Sequence, residues 1–124
     1  MIEAMRSNGG MIRRELIRLL VLREICDDYE NVDQIILPSI AREGAPHGFT
    51  IERSEVVEAL RGLVSDGLAK AYILSSRLPH VTELDGMPEI GEVEENFTTY
   101  FWATQKGLDF HRADDTWWPF ADEL

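Results

Sequence analysis

A single cysteine, Cys26, among 124 residues excludes an internal disulfide, and its neighbours Asp27 and Asp28 raise a thiol pKa rather than activate it. Neither a stapled extracellular scaffold nor a cysteine nucleophile follows, and a reducing cytoplasm is the expected compartment. Long apolar runs are equally scarce. The most apolar stretch near the N-terminus, residues 16–25, is broken by Arg18, Arg23 and Glu24, which no export-signal core or membrane span would tolerate. The chain is therefore expected to be neither exported nor inserted. Histidine is rare too: His47, His80 and His111 are dispersed, without the spacing of a zinc or metalloprotease motif. No glycine motif that cradles phosphate is present. The oxygen-rich run Asp27-Asp28-Tyr29-Glu30-Asn31-Val32-Asp33 lacks the central glycine and terminal glutamate of a calcium loop. These absences leave no candidate catalytic residue, metal site or cofactor, and they argue against an enzyme.

Positive charge is the next scarcity. Twelve Lys and Arg stand against twenty-three Asp and Glu, a net charge of −11, so the average surface repels phosphate. The imbalance is uneven. Residues 1–26 carry five Arg against three Glu and are the one clearly basic stretch, whereas residues 27–60 carry eight acids against Arg42 and Arg53. Residues 76–96 add six acids against Arg77.

What is present suits one compact domain: 44% hydrophobic and 28% charged residues, in a length that buries about two-thirds of its unfolded surface. No repeat or linker divides it. Residues 1–9 read as a loose start, 10–113 as the folded domain and 114–124 as an aromatic tail.

From Gly10 the apolar residues Ile12, Leu16, Leu19 and Leu20 recur at helical spacing, and Ile17, Val21, Leu22 and Ile25 widen the arc, so the first helix should be buried on two sides. Asn31 or Asp33 can cap a second helix through Ile35, Ile36, Leu37 and Ile40, which Pro38 should kink and Gly44 should end. Gly44-Ala45-Pro46-His47-Gly48 reads as a turn. Thr50 is then the expected cap of a third helix running to about Ser65, closed by Asp66-Gly67. Beyond it, Lys70-Ala71-Tyr72-Ile73-Leu74 and Phe97-Thr98-Thr99-Tyr100-Phe101-Trp102-Ala103-Thr104 read as two strands, separated by a long hairpin loop over 75–96. Thr104 can cap a last helix through Leu108 and His111.

The fold class expected is therefore α+β, mostly helical, with three helices, a two-stranded hairpin and a C-terminal helix and tail. That order, together with Ser54-Glu55-Val56-Val57-Glu58-Ala59-Leu60-Arg61-Gly62-Leu63-Val64-Ser65-Asp66-Gly67-Leu68 and Tyr100-Phe101-Trp102-Ala103-Thr104-Gln105-Lys106-Gly107-Leu108, resembles the winged helix-turn-helix superfamily, in the broad style of the MarR and PadR regulators. The resemblance covers roughly residues 10–113. It implies a DNA-binding transcriptional regulator whose third helix enters the major groove while the hairpin wing touches backbone or minor groove.

At 100° per residue Val56, Leu60 and Leu63 point to the core, which places Ser54, Glu55, Glu58, Arg61, Gly62 and Ser65 on the opposite face. On the DNA reading Ser54, Arg61 and Ser65 are the candidate contacts, with Arg61 suited to guanine and Arg13, Arg14 and Arg18 of the first helix to phosphate. Arg14 and Arg18, four apart, should lie together and meet phosphate or else Asp27 and Glu30. Against DNA stand Glu55 and Glu58 on the same face, and Glu83, Asp85, Glu89, Glu92, Glu94 and Glu95 in the loop where a wing tip would sit. These acids favour the alternative, a winged-helix protein-interaction module that does not bind DNA. In the tail, Trp117, Trp118 and Phe120 could each bury roughly 150–250 Å². They would dock on the same chain or on a second subunit, which makes a homodimer the expected partner if the tail is exchanged.

Overall fold

The computed structural model describes residues 13–91 and 98–113. Its elements, in order, are helix α1 (Arg13–Glu24), a π-helical turn (Val32–Ile36), α2 (Leu37–Gly44), a 3-10 turn (Ala45–His47), α3 (Arg53–Ser65), strands β1 (Ala69–Leu74), β2 (Val81–Glu83) and β3 (Thr99–Ala103), and α4 (Gln105–Ala113). The fold is α+β, about half helical, with one antiparallel sheet.

The two longest helices carry the apolar pattern that seats them. On α1, Leu16, Ile17, Leu20, Val21 and Leu22 are all buried, and Ile25 just beyond it is fully buried, so this helix is covered on two sides as its wide apolar arc predicts. It packs most extensively on α3, whose Val56, Ala59, Leu60 and Leu63 face inward. Fully burying residues such as Val56, Leu60 or Phe101 stabilises by about 1.5–3 kcal/mol each.

The second helical segment departs from the expectation in an informative way. Asn31, not Asp33, is the cap: its side chain accepts a 2.8 Å hydrogen bond from the Gln34 amide. The kink expected at Pro38 takes the form of a change of helix type. The π-helical turn closes with the Leu37 amide donating to the Val32 carbonyl, and Pro38, lacking an N–H, sits in the first turn of α2, where no intrahelical donor is needed. Asp33 instead takes both oxygens to the guanidinium of Arg53, at 2.7 and 3.0 Å.

Thr50 does not cap α3. Glu52 occupies that position with extended φ −92° and ψ 150°, and the Glu55 carboxylate reaches back to accept from the Glu52 amide at 2.9 Å. Gly67, at φ +77°, turns the chain out of α3 into β1 as the Asp66-Gly67 pair predicts. Thr104 caps α4, its hydroxyl accepting from the Gly107 amide at 3.0 Å.

The sheet has three strands, not two, in the order β2-β1-β3. The stretch read as a bare loop folds back so that Val81, Thr82 and Glu83 pair with Leu74, Ile73 and Tyr72. The signal was weak because all three β2 residues are exposed, so no alternation of burial marks them. Beyond β3, Glu30 forms an isolated antiparallel bridge with Phe101, with two 2.9 Å hydrogen bonds that tie the α1–α2 connection to the sheet. Along β1 and β3 the residues Ala69, Ala71, Thr99, Phe101 and Ala103 are buried on the helical side, while Lys70, Tyr72, Tyr100 and Trp102 lie on the other.

Candidate functional site

The sequence singles out α3, and its orientation follows from its own apolar spacing. With Val56, Leu60 and Leu63 buried, Ser54, Glu58, Arg61 and Ser65 form an exposed stripe at intervals of four, three and four residues. The candidate contacts Ser54, Arg61 and Ser65 are therefore brought to one surface. Arg61 does not stand alone on it: its Nε donates to Glu58 at 3.1 Å, one turn away.

Glu55 and Gly62 are not on that outer stripe. Both are half-buried, because α1 crosses over them and lays an arginine on each. Arg13 donates to both oxygens of Glu55, at 2.6 and 3.0 Å, donates also to the Thr50 carbonyl, and stacks 4.5 Å above the Phe49 ring. This fork holds the Glu55 carboxyl below the usual carboxylate range and the Arg13 guanidinium above its own, the hydrogen bond between them being the main cause in each case. Arg18 donates to Asp66 at 2.6 Å, and its guanidinium lies over Gly62, where a Cβ would approach it to 3.3 Å. So two of the three α1 arginines expected at phosphate are joined to carboxylates of α3 and its C-terminal cap, and Arg18 meets neither Asp27 nor Glu30. Arg14 is exposed.

The hairpin repeats this self-neutralisation. Lys70 on β1 donates to Glu83 on β2 at 2.5 Å, which raises the Lys70 pKa. Asp85 and Glu89 are exposed, whereas Glu92, Glu94 and Glu95 lie outside the described residues, as do Trp117, Trp118 and Phe120 of the tail. Between the end of α3 and the hairpin is a cleft of about 260 Å³, walled by Val64, Ala69 and Leu84 and rimmed by Lys70, Glu83 and Asp85.

A second acidic region centres on Glu30. One of its carboxyl oxygens is buried without a hydrogen-bond partner among the described residues. Burial first, then Glu24, Asp27 and Asp28, push its pKa up to about 7. Burial also pushes the Cys26 thiol to about 11, reinforced by Asp27 and opposed by Arg112. Among the described residues no group of three or more His, Cys, Asp or Glu is arranged to hold a metal ion, and no helix is long and apolar enough to cross a membrane.

The composition-led reading missed an aromatic surface. Tyr72 and Tyr100 are directly opposed across β1 and β3, Trp102 opposes Lys70, and Tyr29 meets Tyr72 and Trp102 edge-on with ring centroids 5.0 and 4.5 Å apart. The sequence does hold a signal for three of the four: aromatic residues at positions 72, 100 and 102 share the strand parity opposite to that of buried Ala71 and Phe101. Tyr29 joins them only through the Glu30 bridge.

The chain matches no protein-family model, and neither the curated proteins nor the solved structures contain a match to it.

Proposed function

We propose that this chain is a regulatory module of the winged-helix type that works by binding another protein and does not catalyse a reaction. The supporting arrangement is a helical layer in which α3 precedes an antiparallel hairpin, followed by a further helix. One observation favours a protein partner over DNA: Arg13, Arg18 and Arg61, three of the four arginines suited to nucleic acid, are hydrogen-bonded to Glu55, Asp66 and Glu58. Recruiting them to phosphate would leave those carboxylates unpaired beside a polyanion, which opposes the counterion release that drives DNA binding. In addition, α2 and α3 are separated by residues 45–52, longer than the about 3–4-residue turn of a helix-turn-helix pair.

The second reading, a DNA-binding transcriptional regulator, draws on the exposed Ser54, Arg61 and Ser65 stripe and on Arg14. Titrating labelled random-sequence duplex at about 50 and 200 mM salt separates the two. The protein-binding reading expects little association at either concentration. Tight binding that collapses as salt rises would install the DNA reading in its place. In that case Arg61→Ala should relax discrimination at one base by about 1–3 kcal/mol, while Arg14→Ala should weaken all sequences alike.

A further inference from the structure

The outer face of the sheet carries aromatic residues that are only partly taken up in packing, Trp102 alone among them being packed against the hydrophobic core. Tyr72, Tyr100, Trp102 and Tyr29 are each half-buried, on the side of β1 and β3 away from the buried Ala71 and Phe101. Such rings at the surface are a feature of recognition sites, where large, rigid side chains bind at little entropic cost. Three properties of the patch define what it would accept.

Its rim is anionic on both sides. Asp27 and Asp28, both exposed, lie next to Tyr29, and Glu83 sits directly across from Tyr72 with exposed Asp85 two residues further on. Lys70, the cation directly opposite Trp102, already donates to Glu83. The floor is π-rich, and a flat cation gains over such faces both from the ring quadrupole and from the carboxylates around them. Finally, the Trp102 indole N–H is buried with no acceptor among the described residues, so a backbone carbonyl that reaches it on a small opening of this face would meet an unpaired donor.

We infer that this face binds an extended, arginine-bearing segment of a protein partner, with guanidinium groups stacked on Tyr72, Tyr100 and Trp102 and paired to Asp27 and Asp28. A polynucleotide has the π-faces but the wrong charge for this rim, and a lysine-rich segment has the charge but not the plane. The inference rests on the protein-binding reading and names the partner's chemistry.

The test uses the full chain and three synthetic nonapeptides of alternating glycine with arginine, lysine or citrulline, titrated calorimetrically at about 150 mM salt. The arginine peptide should bind about threefold to tenfold more tightly than the lysine peptide, the increment that stacking supplies beyond charge, and the citrulline peptide should not bind detectably. The exposed pair Asp27→Asn with Asp28→Asn should weaken the arginine peptide several-fold and reduce its salt dependence. Trp102→Phe, which keeps a ring but removes the N–H, should weaken it without changing that salt dependence. Equal affinity for the lysine peptide would reduce the effect to attraction by a net charge of −11 and overturn the proposal. So would an arginine affinity that neither set of substitutions moves, or no binding of any peptide. The duplex titration is independent of these outcomes: absent DNA binding with absent peptide binding removes this surface but leaves the protein-binding reading standing.

Discussion

Glu30 links the acid-rich connection after α1 to the sheet, and its environment makes a pH dependence calculable. Its backbone is held by the two hydrogen bonds to Phe101, which fix where its side chain starts from. Burial, Glu24 and the neighbouring Asp27 and Asp28 together raise its pKa from 4.5 to about 7. A raised folded-state value means that the native protein holds this proton more tightly than the unfolded chain does. The stabilisation linked to it is therefore complete below about pH 4.5 and is lost as pH rises through about 7. At about 1.36 kcal/mol per pH unit the interval bounds the loss at about 3 kcal/mol. Because the side chain is only half-buried and water screens its neighbours, about 1–2 kcal/mol is the working figure. Glu30→Gln keeps the shape and removes the titration. The variant should match the wild type at pH 5 and exceed it by about 1–2 kcal/mol at pH 8, measured by urea unfolding at constant ionic strength. Every other titratable group is common to both proteins and cancels in the difference. A difference that stays constant between pH 5 and pH 8 would refute the reasoning, since a packing or hydrogen-bond effect of the amide carries no such slope.

Other sites give sharper structural tests. Leu60 is fully buried, so Leu60→Ala should cost roughly 2–5 kcal/mol in urea unfolding, and a near-zero change would mean that the faces of α3 are reversed. Gly107 lets α4 lie against the connection between α3 and β1: a Cβ there would run into the Leu68 carbonyl, which is backbone and cannot swing away. Gly107→Ala should destabilise by about 1–3 kcal/mol or more, visible as a lower thermal midpoint, whereas the same change on an exposed helix site would be stabilising. Cys26, with its thiol near pKa 11, should react with a disulfide reagent at pH 8 about a hundredfold more slowly than a free thiol, its rate climbing about tenfold per pH unit to pH 10. A plateau near pH 8.5 would contradict its burial.

Helix positions were legible because their apolar residues repeat at a helical period and their ends carry local signals. Gly67, Thr104 and Asn31 each act through atoms within a few residues of themselves, which is why they could be read from sequence alone. Two features failed for the opposite reason. The cap of α3 is Glu52 rather than Thr50, and the deciding groups are two: Glu55 one turn on, and Arg13 from another helix, which holds both Glu55 and the Thr50 carbonyl. Strand β2 has three exposed residues and is defined only by its partner β1, so neither hydrophobicity nor alternation announces it. The second helix lies between these cases. Pro38 correctly marks a disturbance, but whether it appears as a kink or as a π-helical turn depends on how Val32, Ile36 and Ile40, all fully buried, must face the core together.

The candidate site shows the same division more sharply, because charge counted along a chain is not charge displayed on a surface. Residues 1–26 are the one clearly basic stretch in sequence, which is what made Arg13, Arg14 and Arg18 look available to phosphate. Folding joins Arg13 to a carboxylate 42 positions away and Arg18 to one 48 positions away, separations that no local window spans. Both bonds also clamp α1 across α3, at the points where Glu55 and Gly62 let it approach closely. Releasing either arginine to an outside anion would therefore loosen the packing of α1 on α3 as well as expose a carboxylate. An exposed ion pair of the kind Arg18 and Asp66 make contributes about 0–1 kcal/mol, whereas a carboxylate stranded next to phosphate is repelled at short range. On the protein-binding reading proposed above, the repulsion is the larger of the two terms, and it weighs against a nucleic-acid role for the α1–α3 surface even though its constituent arginines, read one at a time, point towards one.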